Sequence, residues 1–108
     1  MSELIRLRDL LRREFFVCHL EQLLVKSMEL ARSSGDPLVF YALASVLDDV
    51  CRRWEDRPVA TTEVGALHDA LWPHIETVLT VACENGISDG ARAATSRLVQ
   101  AHLRLSTR

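Results

Sequence analysis

The apolar residues of the first third of the chain recur at helical spacing. Leu4, Leu11, Cys18 and Val25 stand seven residues apart, as do Leu10, Val17, Leu24 and Ala31. Leu7 and Met28 fall between these rows, so the three together make the broad apolar stripe of a core-facing helix. Ser2 can cap its start, and Glu3 suits the positive end of the helix dipole. No Gly or Pro interrupts Glu3 to Arg32, and Ser33-Ser34-Gly35 supplies an exit. The pattern predicts one continuous helix over 2–32.

Two features complicate that helix. Glu14 and Glu21 lie on the axis of the stripe, where a core would ask for apolar residues. A further face, carrying Phe16, Leu20, Leu23 and Ser27, is also partly apolar. A helix apolar on more than one side is buried by more than one neighbour.

Three shorter helices follow. Asp36-Pro37 opens the second, Asp as cap and Pro at the first position, where its missing N–H costs nothing. Val39, Leu43, Val46, Leu47, Val50 and Trp54 form its inward face, and Asp56-Arg57-Pro58 stops it. Thr61 or Thr62 caps the third, whose face runs from Val64 through Leu71 and Ile75 to Ala82. Pro73 interrupts its hydrogen bonding and predicts a kink, with two short helices as the alternative. Asn85-Gly86 ends it, with Ile87 able to pack back on the last turn, and Ser88 caps the fourth helix, which runs to about Leu105. The expected fold is all-α: an antiparallel up-and-down four-helix bundle with a long first helix and a proline-kinked third.

Length and composition narrow the function. At 108 residues the chain is expected to be one domain over 1–108, large enough for a core without staples. A net charge of −2 gives no pull toward nucleic acid or a membrane surface. Cys18, Cys51 and Cys83 are too few for a disulfide framework and imply a reducing, cytoplasmic setting. No secretory signal or membrane-length apolar run is visible.

Ideal hairpins bring possible chemistry to one height. Folding about Ser34 and Gly35 sets Cys51 level with Cys18, and folding about Val59 sets His68 level with Cys51. Glu14, Cys18, Glu21, Cys51 and His68 then form a candidate polar layer. Helical bundles build metal and ligand sites from such residues, but no Glu-x-x-His pair is present, and Glu, Cys and His make an unusual donor set. The simpler reading is a buried pair, Glu14 or Glu21 with His68 or Arg97, that fixes helix register. His19 and His74 fall on solvated flanks, and His102 on the edge of its helix's apolar face.

Neither a Gly-rich phosphate loop, nor Cys-x-x-Cys, nor His-Glu-x-x-His occurs, so catalysis has no motif behind it. Val81 to Ser88 resembles the turn of a helix-turn-helix, though Arg92 stands where that motif buries an aliphatic residue. The favoured expectation is a non-catalytic protein–protein interaction module, an assembly, adaptor or chaperone-like part, homodimeric through the first helix. No cofactor or resident metal is expected. A ligand- or metal-binding sensor and a helix-turn-helix DNA binder are the alternatives. Leu4, Leu7, Phe16, Leu20 and Leu23 are the expected anchors, with Arg8 and Arg12 at the rim. On that reading, changing Leu20 and Leu23 to Glu abolishes association and leaves helix content intact.

Overall fold

The apolar stripe that begins at Leu4 does not keep its phase. Nine residues separate Leu11 from Leu20, and at about 100° per residue that sets them about 180° apart on a straight helix. A single rod would thus present Leu4, Leu7 and Leu11 on one side and Leu20, Leu23 and Ser27 on the other. In a computed structural model, which describes residues 2–33, 37–53, 61–86 and 88–106, the chain resolves this by bending. The expected first helix is two: α1 (Ser2–Arg13) and α2 (Val17–Ser33), joined by Glu14-Phe15-Phe16. The bend turns both apolar faces onto one core, and all five leucines fall to 0% exposure.

Side chains hold the bend. Phe15 turns inward, edge-on to the rings of His68 and Trp72 at 5.0 and 6.0 Å. His19 is buried, and its Nδ1–H donates to the Glu14 carbonyl at 2.8 Å. Phe16 acts as the cap residue of α2, its carbonyl accepting from the amides of His19 and Leu20. Its own ring lies outside, stacked on His19. His19 is therefore a buried bracing residue and not a solvated flank.

Three helices follow: α3 (Leu38–Arg53), α4 (Thr61–Asn85) and α5 (Asp89–Ser106). The described residues thus form five helices and no strand, where four helices were expected. α4 runs through Pro73 without interruption. The proline is exposed, so the carbonyl it deprives, that of exposed Asp69, faces water. Gly86 leaves α4 with a positive φ of 67°, a conformation that costs a side-chain-bearing residue about 1–2 kcal/mol. The Ser88 hydroxyl accepts from the Ala91 amide at 3.3 Å and caps α5 as the sequence predicts. The expected ends at Ser34-Gly35, Asp36, Trp54, Asp56-Arg57-Pro58 and Ile87, the pivot at Val59, and the caps from the Ser2 and Thr61 side chains lie outside what is described.

The helices close a ring, α1–α2–α3–α5–α4, with α1 completing it between α2 and α4. α1 folds back along α2, so that Glu3 lies beside Gln22 and Lys26. It also runs antiparallel to α4, with Arg12 bound to Glu76 and Arg8 to Thr80 one turn further on. α3 and α5 are parallel: Leu38 and Arg92 line one end of their seam, and Asp49 meets His102 near the other. One core cluster fills the ring, with Phe40 the largest side chain wholly inside it.

Candidate interaction surface

The five residues of the expected polar layer do not meet. Glu14 sits exposed in the linker, while Cys18 and Glu21 are exposed on the outer side of α2. His68 is half-exposed; its Nδ1–H donates to its neighbour Asp69 at 3.2 Å, and its ring lies against Phe15. Cys51 is half-buried, and burial, reinforced by Glu21 and Asp48, pushes its thiol up to about 11. Arg97 is exposed as well, so the expected buried register pair is absent. The cause is the phase jump: past the bend, the row holding Cys18, Glu21 and Val25 faces solvent. Among the described residues, no three His, Cys, Asp or Glu side chains are placed to hold a metal ion.

The expected interface fails at its leucines for the same reason. Leu4, Leu7, Leu20 and Leu23 are at 0% exposure within one chain, so they are core residues and not anchors. Arg8 and Arg12 are engaged with α4 through Thr80 and Glu76. Phe16, at 55%, is the one expected anchor left outside.

A different surface emerges on α3. Leu38, Tyr41, Ala42 and Ser45 follow helical spacing on the side away from the core face of Val39, Leu43, Val46 and Leu47. Leu38 is 63% and Tyr41 61% exposed. The Ser45 hydroxyl donates to the Tyr41 carbonyl at 3.0 Å and so asks little of a partner. Grooves flank this ridge on both sides. Toward α2, one of about 320 Å³ is lined by Leu24, Met28, Tyr41 and Ala44, with Asp48 at its end. Toward α5, one of about 260 Å³ is lined by Leu38, Ala42, Thr95 and Val99, with Arg92 at its end. The Thr95 hydroxyl is spent on the Ala91 carbonyl at 2.8 Å, which leaves that groove's wall largely apolar.

A ridge with apolar grooves suits an interlocking side-chain surface and offers no activated nucleophile or acid–base pair. The sequence held a usable signal for it. Leu38 and Tyr41 are large apolar residues off the inward stripe of a short helix.

Beyond the ridge, α3 and α5 are tied by charge. His102 Nε2–H donates to Asp49 at 2.7 Å, and Arg53 approaches the same carboxylate at 3.2 Å. The expected edge histidine is therefore tied to α3. The His102 hydrogen bond, with help from the Arg53 charge, holds the Asp49 carboxyl below its usual value. A lowered folded pKa stabilises the fold above the unfolded carboxyl's pKa, about 3.9, and that stabilisation is lost as the pH falls through the folded value. Asp49 is nearly half exposed, so screening limits the effect to under about 1 kcal/mol. Asp49→Asn is expected to lower the melting temperature slightly at neutral pH, with the difference vanishing in acid. A difference unchanged across the carboxylate range would contradict this.

No helix among the described residues is long and apolar enough to cross a membrane. No family model matches the chain, and neither a curated protein nor a solved structure is similar to it.

Proposed function

We propose that the protein is a non-catalytic interaction module, an assembly, adaptor or chaperone-like part that docks a partner protein on the outer face of α3. The observation that carries this reading is the ridge of Leu38 and Tyr41 between two apolar grooves. Large exposed apolar side chains gathered on one face favour association, whereas scattered ones need no explanation. Three cysteines outside any disulfide, of which Cys51 and Cys83 have thiols pushed up by burial, suit a reducing, cytoplasmic setting.

The other classes have less to stand on. A metal or ligand sensor needs Glu14, Cys18, Glu21, Cys51 and His68 together, and although Glu21 comes near Cys18 and Cys51, the five do not converge. A DNA reader needs the start of α5 free to enter a groove, and there Arg92 is paired with Asp89 at 3.0 Å. A photo-crosslinking residue in place of Tyr41, in the cell that makes the protein, tests the reading. One discrete protein adduct is expected, lost on Leu38→Glu and absent when the probe replaces exposed Thr77 on α4. No adduct at Tyr41, or the same adducts from Thr77, would remove the α3 face as the docking surface.

A further inference from the structure

Large and small side chains are placed symmetrically along the outer face of α3. Leu38 and Tyr41 project from it, whereas Ala42 and Ser45 leave it low. At about 100° per residue, Leu38 and Ser45 share nearly one line along the helix surface, and Tyr41 and Ala42 fall on either side of it. Tyr41 lies on the α2 side, where it lines a groove with Leu24 and Met28. Ala42 lies on the α5 side, where it lines the other groove with Thr95 and Val99.

That arrangement is its own complement. A two-fold axis perpendicular to α3, passing midway between Tyr41 and Ala42, exchanges position 38 with 45 and position 41 with 42. Two copies face to face on that axis set each Leu38 over the other's Ser45 and each Tyr41 over the other's Ala42. Their α3 helices run antiparallel. Because α2 and α5 flank α3 on opposite sides, α2 of each copy meets α5 of the other. Tyr41 then enters the groove of about 260 Å³ beside Val99. Leu38 closes the mouth of the groove of about 320 Å³ beside Leu24 and Met28.

We infer that the partner docked on the α3 face is a second copy of this chain, held by an antiparallel two-fold pairing of α3 with α3. The inference rests on the docking role proposed above and names its occupant. A second copy suits the face because one surface carries both the knobs and the hollows they need, so each contact is made twice. Burial strands neither the Ser45 nor the Thr95 hydroxyl, which donate to the Tyr41 and Ala91 carbonyls at 3.0 and 2.8 Å. Ser96, in the α5 groove, offers an acceptor to the Tyr41 O–H of the other copy. The rotation also brings Arg92, at the Leu38 end of one groove, toward Asp48, at the far end of the other. Each keeps its own exposed counter-charge at 3.0 Å, Asp89 for Arg92 and Arg52 for Asp48. This meeting of opposite charges therefore orients the pair and adds little to its affinity.

Light scattering of the purified chain across a wide concentration range tests the pairing. The mass is expected to rise from that of one chain to that of two and then to level off. Tyr41→Ala removes the knob and Ala42→Tyr fills the hollow. Each is expected to raise the concentration at half-dimerisation by about tenfold or more. Both positions are on the outer face, so far-ultraviolet circular dichroism should show wild-type helix content. The photo-crosslinking residue at Tyr41, used on the purified chain, is expected to give an adduct of two chains joined near the other copy's Ala42 or Val99. The mass of one chain at every concentration, or a dimer that both substitutions leave intact, overturns the inference. So does a two-chain adduct joined elsewhere. If the Tyr41 probe captures a different protein in the cell and no second copy, the docking face stands and its occupant is not this chain. If it captures neither, the docking face falls with the inference.

Discussion

Leu23→Glu is expected to unfold the protein outright. Leu23 is at 0% exposure beneath its own chain's neighbours, as is Leu20 a turn away. Removing a buried leucine forfeits about 1.5–3 kcal/mol of burial, and an unpaired carboxylate inside the ring adds several kcal/mol more. Against a total stability of about 5–15 kcal/mol for a domain, a loss above about 4 kcal/mol is decisive. Helix content should collapse in far-ultraviolet circular dichroism, where a surface leucine would have left it unchanged. A folded Leu23→Glu chain with wild-type helicity and urea midpoint would return this residue to the surface, where the uninterrupted-rod reading placed it.

The contrast between those readings marks what the residues disclosed unaided. Helix type was legible almost throughout, because α3, α4 and α5 each carry one stripe in constant phase, from Val39 to Val50, Leu67 to Ala82 and Ala91 to Leu98. Caps were legible where their chemistry is local, as at Gly86 and Ser88. The bend at Glu14-Phe15-Phe16 was not, because no residue there forbids a helix. Its only trace was the half-turn slip between the Leu4-Leu7-Leu11 stripe and the Leu20-Leu23-Ser27 stripe. Both stripes were visible, but reading them as two sides of one rod called for a second chain to cover the excess.

That single misplacement explains the site. Past the bend the inward face of α2 changes rows, so Cys18 and Glu21 move from the axis of the core to solvent. The expected layer dissolves although its register is nearly right: Glu21 does lie close enough to Cys51 to act on its thiol. The Asp49–His102 bond was hidden for another reason. It depends on α3 lying parallel to α5, a pairing between helices that are not consecutive, and local pattern carries no information about it.

Leu7→Ala is the second large effect, and its reach along the chain is as informative as its size. α1 has only 12 residues, too few for a stable helix in isolation, so it persists by burying Leu4, Leu7 and Leu11. A buried Leu→Ala change costs about 2–5 kcal/mol, depending on how well the site can collapse. The polar ties to α4, Arg12 with Glu76 and Arg8 with Thr80, are largely exposed or neutral and each offset under about 1 kcal/mol of that. Because α1 is joined to α2 by only three residues and packs chiefly on α2 and α4, it can open without dismantling the α2–α3 and α4–α5 pairs, as a unit of low local stability. Amide hydrogen exchange is therefore expected to accelerate in residues 4–13 of Leu7→Ala while the centres of α3 and α5 stay protected. Leu43→Ala on α3, of the same chemistry and burial, should instead lower protection everywhere. If the two variants accelerate exchange uniformly and alike, α1 opens only with the whole ring, and its low local stability is refuted.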